Sequence, residues 1–220
     1  MRYLAFLTLV VLAGCSPAEP EATVLFDGSS LDGWLHQPGG WVITDEGAMV
    51  CQMTPEGKAM GDIWTEGQYG DFDLTLDYQL SEGANSGVFY RGDKDNPVQG
   101  GFEVQLMDNV GFQKSHGEKD ARKLNGSFYD GVAPSHDPSN SVGEWNSFRL
   151  TCEGPIIQIA INGEQVVEVN VDEWTTAGQN PDGTTNKFKT ALAELPRIGR
   201  IGFQNHGQVV QFRDVKIRPR

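Results

Sequence analysis

Positive charge is scarce in this 220-residue chain: 17 Lys and Arg stand against 30 Asp and Glu, a formal net charge of −13. Neutralising a phosphate backbone needs a basic surface, so nucleic acid is excluded as a partner. No run of basic residues is available for anionic lipid. Only four histidines and three cysteines occur, with no Cys-x-x-Cys and no His-rich spacing. That excludes a structural zinc site. Stretches with a 3.6-residue apolar period are missing, which excludes a helical bundle. Gly-x-Ser-x-Gly, Walker and dinucleotide fingerprints are missing too.

The apolar stretch Tyr3 to Val11 is too short to span a bilayer comfortably. It follows the positive Met1-Arg2 and precedes Leu12-Ala13-Gly14-Cys15. Charge, apolar core and small residues before a cysteine read as a lipoprotein leader, residues 1–14, with Cys15 as the lipidated first residue of the mature chain. Ser16 after it, rather than Asp, favours the outer membrane over the inner. The expectation is a periplasmic or cell-surface lipoprotein held to the membrane through Cys15, with 15–22 as a polar tether and 23–220 as one domain. Losing Arg2 leaves 16 basic and 30 acidic residues, a mature charge of −14. Cys51 and Cys152 each sit in a strand-like stretch, and two readings stand: a disulfide in an oxidising compartment, or two buried thiols.

Strand signals fill the rest. Phe72 to Tyr78 alternates apolar and polar residues, as does Phe102 to Leu106 within a strand predicted at 102–107, and Ile156 to Ile161 reads as a further strand. Further strands are predicted at 41–43, 48–53, 87–91, 146–152, 164–171, 200–203 and 208–217. Asn162-Gly163 reads as a two-residue hairpin turn. With 27 glycines and only a turn or two of helix in 110–124 and 190–195, the pattern predicts an all-β sandwich or jelly roll of two antiparallel sheets. Two long irregular stretches, 109–142 and 172–196, are of the length that usually carries function. The first holds His116, Lys119, Arg122, Lys123, Tyr129 and His136; the second holds Trp174, Lys187 and Lys189. Asp93 to Asn96 reads as a surface turn rather than a calcium loop.

Three polar patches interrupt these strands. Glu103 and Gln105 share one face of Gly101 to Asp108, either a solvated surface or a pocket floor. By parity Asn85, Gly87, Phe89 and Arg91 share a face, with Gly87 as open floor and Arg91 as a planar fork of donors. Gln204 and His206 share a face between glycines, and a histidine can serve as acid, base or ligand. Glu103 and Asp108 have opposite parity and would lie ~17 Å apart along an extended strand. A two-carboxylate glycosidase needs about 5 to 9.5 Å, so no such pair exists within one strand.

Read together, these segments resemble the 3-keto-disaccharide hydrolase domain family. The resemblance is carried by Leu25 to Trp34, Trp64 to Phe72, Asn85 to Arg91, Gly101 to Asn109, Gly143 to Asn146, Ile161 to Gly163, Ile201 to Gly207 and Phe212 to Asp214. It implies a concanavalin/LamG-like jelly roll and cleavage of the glycosidic bonds of 3-keto-glycosides. A C3 ketone acidifies the C2 hydrogen and makes the C1 oxygen a β leaving group. Elimination and water addition then need one base, an enolate stabiliser and an acid, not paired carboxylates. Under this reading Glu103 or His206 is the base. Arg91, with Asn85 or Gln105, holds the C3 oxygen. Asp108, Tyr129 and Lys123 orient hydroxyls or assist the leaving group, and Gln204 and Lys187 complete the substrate contacts. No cofactor is expected, although Glu103 and His206 could hold a divalent metal that polarises the ketone. The chain departs from the family pattern at His116-Gly117-Glu118. The alternatives are a non-catalytic carbohydrate-binding module, or a lyase or hydratase performing half the reaction.

Overall fold

The computed structural model describes residues 20–220; the leader, the lipobox and Cys15 lie outside them. Within that span the strands are β1 (Thr23–Phe26), β2 (Trp34–Leu35), β3 (Trp41–Ile43), β4 (Met49–Cys51), β5 (Ile63–Thr65), β6 (Phe72–Leu80), β7 (Asn85–Gly92), β8 (Phe102–Met107), β9 (Trp145–Glu153), β10 (Ile156–Ile161), β11 (Glu164–Asn170), β12 (Arg200–Phe203) and β13 (Val210–Pro219). One helix, α1 (Asn109–His116), lies in the first long loop, and single 3-10 turns occur at 121–123, 171–173 and 192–194.

Two antiparallel sheets form. The larger has eight strands in the order β11-β10-β9-β6-β13-β4-β3, with β1 also pairing with β13; the smaller has five in the order β2-β5-β12-β7-β8. This is the expected jelly-roll sandwich. The period-two pattern of β6 explains its placement: Phe72, Leu74, Leu76, Tyr78 and Leu80 are buried while Thr75 is exposed. Those five side chains meet Val88, Tyr90, Phe102, Val104 and Leu106 of the smaller sheet in one continuous core. Fully burying a side chain of this size stabilises by about 1.5–3 kcal/mol relative to exposure. Asn162 and Gly163 both take positive φ, 52° and 81°, as the hairpin turn between β10 and β11 requires.

The expected strands form with ends shifted by a residue or two. The short strands β1, β2 and β5 escape sequence reading, because two to four residues carry too little alternation. Of the two readings for the cysteines, the disulfide fails: Cys51 and Cys152 are buried free thiols. Their strands, β4 and β9, are separated by β13 and β6. Three inter-strand steps of ~4.8 Å put them well beyond bridging distance.

β7 and β8 are buried along their whole length, on both faces. One face meets the core. The other is covered as well, with Glu103 7 % and Gln105 1 % exposed, and the first long loop pairs along the edge of β8: Tyr129 N donates to Glu103 O (3.0 Å) and Gly126 N to Gln105 O (2.8 Å). Lys187 N donates to Asp130 Oδ2 (2.7 Å), tying the second loop to the first. The polar face of Glu103 and Gln105 is therefore buried, not a solvated surface.

Candidate active site on the outer face of the smaller sheet

The register of β7 against β8 sets Gly87 opposite Gln105 and Phe89 opposite Glu103. Cross-strand partners share a face, so Asn85, Gly87, Phe89, Glu103 and Gln105 form one patch. β12 continues it, with Gly202 opposite both Phe89 and Trp64. The Trp64 ring stacks on Phe89 at 5.0 Å between centroids and closes the apolar end of the patch.

Glu103 is the centre. It is 7 % exposed. Its Oε1 accepts from Gln204 Nε2 (3.3 Å) and its Oε2 faces Lys187 Nζ (3.5 Å). Burial pushes its pKa up to about 7, against the pull of the Lys187 ammonium. A carboxyl group near 7 exchanges protons at neutral pH, as a general base must. Lys187 lies 3.9 Å over the Tyr129 ring, which fixes the ammonium beside the carboxylate. Burial pushes the Tyr129 hydroxyl up to about 12, and the Glu103 charge adds to this. Lys123 pairs with Asp130 at 3.2 Å. Lys119 lies 4.4 Å over the Phe112 ring, its pKa lowered by burial and by the Lys123 charge. In an otherwise acidic protein, Lys187 and Lys119 thus act on Glu103, while Lys123 pairs with a second buried carboxylate, Asp130.

The loop after β12 is held at every step. Gln204 N donates to Gly87 O (2.9 Å), and Ser86 Oγ donates to Gln204 O (2.7 Å). Asn205 N donates to Asp62 Oδ1 (2.8 Å) and Asn205 Nδ2 to Gln52 O (2.8 Å). His206 follows, exposed at the rim. Gln105 Nε2 donates to Asn85 Oδ1 (2.6 Å) and to Ser86 O (3.1 Å). Gln105 therefore orients Asn85 with its amide nitrogen rather than offering that donor to a ligand.

Three expectations are corrected. Arg91 does not join the patch. Tyr90 and Arg91 together oppose the single step between Arg200 and Gly202. This bulge breaks the parity that would align Arg91 with Phe89. The Arg91 side chain is fully buried, with Nε on Gly70 O (2.9 Å), Nη1 on Gly154 O (2.8 Å) and Nη2 on Asp71 Oδ1 (2.9 Å). It clamps loops and cannot hold a ketone. Asp108 is the N-cap of α1: Oδ1 accepts from Gly111 N (3.1 Å) and Oδ2 from Gly83 N (2.8 Å). Both carboxylate oxygens already serve backbone donors. Gly87 is not open floor either, because the Glu103 carboxylate occupies the space above it. The remaining candidates, Glu103, Gln204, Lys187, Tyr129, Lys123, Asn85 and Gln105, do come together. No cluster of three or more His, Cys, Asp or Glu fit to hold a metal occurs among the described residues, and the Glu103 carboxylate has an ammonium and an amide for neighbours. The donor set does not fit the metal alternative.

Asp62 escapes sequence reading. It precedes β5, and only the pairing of β5 with β12 brings it beside the 204–206 loop. A lone Asp between Gly61 and Ile63 gives no local signal.

The jelly-roll fold defines the class of this protein first. A Bacillus subtilis protein with a galectin-like fold superposes with a TM-score of 0.56 at 15% identity, covering 90% of this chain and 94% of that one. A glycosyl hydrolase candidate from Parabacteroides distasonis superposes with a TM-score of 0.81 at 29% identity, covering 91% of this chain and all of the other. The chain belongs to the 3-keto-alpha-glucoside-1,2-lyase-like domain family, whose model matches residues 21–218. It is also 26% identical to a 3-keto-disaccharide hydrolase from Bacteroides thetaiotaomicron, over 88% of this chain and 77% of that relative.

Proposed function

We propose that this protein cleaves the glycosidic bonds of 3-keto-disaccharides or 3-keto-glucosides by elimination and hydration. The observation that carries this reading is Glu103: one buried carboxylate with a pKa near 7, set between the Lys187 ammonium and the Gln204 amide. One base beside one cation suits enolate chemistry, where a proton leaves carbon and negative charge appears on a neighbouring oxygen.

Glu103 takes the C2 proton, and the C2–H electrons move into the C2–C3 bond to give an enolate. Lys187 lies where the growing charge on the C3 oxygen is stabilised; it takes the role that Arg91 cannot fill. The enolate collapses, the C1–O bond breaks, and the departing oxygen receives a proton from an acid at the rim. Water then adds at C1 of the enone and a proton returns to C2, so the net change is hydrolysis. Tyr129, Lys123 and Asn85 serve as hydroxyl contacts. The family description, the name of the Bacteroides relative and the polar walls of the patch support a sugar substrate. The sequence pattern of residues 1–14 and Cys15 supports a lipid-tethered protein of the periplasm or cell surface as the carrier of this activity.

The deciding experiment follows purified protein with 3-keto-disaccharides and 3-keto-glucosides by mass spectrometry in deuterated water. Cleavage with deuterium at C2 is expected. Cleavage without deuterium removes elimination. Accumulation of the enone reassigns the protein as a lyase, and binding of plain glycans with no turnover reassigns it as a binding module.

A further inference from the structure

We propose that Asp130 is a positioning residue: its carboxylate fixes the backbone of Lys187 and thereby sets the ammonium that faces Glu103. The role rests on the elimination reading above, in which Lys187 meets the charge on the C3 oxygen.

Every link is a direct contact. Asp130 Oδ2 accepts the backbone N–H of Lys187 (2.7 Å). The Lys187 ammonium lies 3.9 Å over the Tyr129 ring and 3.5 Å from Glu103 Oε2. Tyr129 precedes Asp130 in the chain and donates its own N–H to Glu103 O (3.0 Å). These four residues close a circuit. Glu103 holds Tyr129 by the backbone, Asp130 holds Lys187 by the backbone, and the Lys187 side chain returns to both Tyr129 and Glu103. A lysine carries its charge on a flexible four-carbon stem, so the charge is placed only when the root of the stem is held as well as its tip.

The surroundings of Asp130 suit an anchor. It is buried and takes a φ of 61°, a left-handed conformation that Asp tolerates better than most side chains. Its N–H donates to Arg122 O (2.8 Å), and its carbonyl accepts from Asn180 Nδ2 (3.2 Å). Asn180 is buried too, and its Oδ1 accepts from Trp174 Nε1 (2.8 Å) and Asn186 Nδ2 (2.9 Å). Asn186 Oδ1 accepts from Phe188 N (3.0 Å), so the residues on both sides of Lys187 are tied as well. A buried polar network satisfied in this way rigidifies one arrangement. The second carboxylate oxygen of Asp130, Oδ1, faces Lys123 Nζ (3.2 Å). Both oxygens are engaged, so Asp130 acts through Lys187 and not on the sugar.

Two variants separate the anchor from the charge. Asp130→Gly keeps the left-handed backbone and loses the acceptor. Asp130→Asn keeps an acceptor oxygen and loses the charge. The Glu103 carboxyl, isotope-labelled and assigned with Glu103→Gln, is titrated by NMR without substrate. Lys187 pulls the Glu103 pKa down. A displaced Lys187 therefore raises the midpoint, whereas loss of a nearby negative charge alone lowers it. Asp130→Gly is expected to raise the midpoint by about half a unit or more. Its kcat on a 3-keto-glycoside is expected to fall roughly tenfold or more, as misplacing a group at the reacting atoms does. Asp130→Asn, with its acceptor intact, is expected not to raise the midpoint and to keep kcat within about threefold. In a Lys187→Met background, Asp130→Gly is expected to add nothing to either effect. In the parent protein the Lys187 N–H is expected to exchange slowly with solvent, a measurement that needs no variant to fold. An unmoved or lowered midpoint in Asp130→Gly, equal losses in the two variants, an additive loss in the Lys187→Met background, or fast exchange at Lys187 N–H overturns the role of Asp130. Failure of the parent protein to turn over every keto-glycoside, with the midpoint shift intact, overturns the elimination reading instead and leaves the Asp130–Lys187 coupling standing.

Discussion

The space above Gly87 belongs to Glu103. A methyl group added at Gly87 would lie 2.5 Å from Glu103 Oε1 and about as badly against the Cγ and Cδ atoms, at 3.0 and 3.1 Å. The missing side chain on β7 is what lets a carboxylate from β8 lie flat against the sheet. There Gln204 and Lys187 reach its two oxygens. The glycine is a condition for the base, not a platform for the sugar.

Gly87→Ala is therefore expected to displace the Glu103 carboxylate. Overpacking of this kind costs roughly 1–3 kcal/mol, which a domain of this size survives. Turnover of a 3-keto-glycoside should fall at least tenfold while the circular dichroism spectrum stays native. Full activity in a folded Gly87→Ala protein would show that the position of Glu103 is irrelevant.

The raised pKa of Glu103 has a definite sign in stability. Its ordinary value is 4.5 and its folded value about 7, so between these the folded state binds the proton that the unfolded state has released. Stability from this group is fully present below pH 4.5 and declines as the pH rises through 7. The difference amounts to about 3 kcal/mol. Glu103→Gln should remove that decline, seen as a flatter curve of urea midpoint against pH from 4.5 to 8. Parallel curves for the two proteins would contradict the buried, raised carboxyl group.

Lys187→Met removes the cation that holds the Glu103 pKa down. The acid limb of the kcat/KM profile should move to higher pH than in the parent, and kcat at the plateau should drop by tenfold or more. Lys187→Arg should restore the limb better than the plateau, because a planar guanidinium carries the charge but not the compact ammonium geometry. A limb that stays in place in Lys187→Met would separate Lys187 from the base.

Arg91→Ala and Asp108→Ala test the two corrected residues. Losing the buried Arg91 leaves the Gly70 and Gly154 carbonyls without their donor, at a cost of about 3 kcal/mol. Losing the Asp108 cap costs about 1–2 kcal/mol. Both variants should unfold at lower urea and keep kcat/KM within about threefold at temperatures where they are folded. A kcat loss of a hundredfold in folded Arg91→Ala protein would return that residue to the chemistry.

How far the sequence reaches is clearest at β8. Phe102, Val104 and Leu106 alternate with Glu103 and Gln105, and a period of two needs no partner to be read. The strand, its inward face and the candidate carboxylate were all legible. The same rule failed at Arg91, because a bulge adds a residue to β7 and only the pairing with β12 reveals it. It failed at Asp108 because a strand end and a helix cap look alike until the helix is present. Asp62 was invisible, since its importance comes from a contact with Asn205, 143 residues later in the chain.

Composition and alternation by themselves determined an all-β sandwich and selected Glu103 and Gln105 as a polar strand face. Those properties are set by each residue and its immediate neighbours. Only the tertiary structure decided that this face is covered rather than solvated. It also decided that Lys187 rather than Arg91 stands beside Glu103, and that Cys51 and Cys152 stay apart. Strand order, bulges and loop coverage depend on contacts between distant segments, and burial, which sets the charge state of Glu103, exists only once those segments have packed.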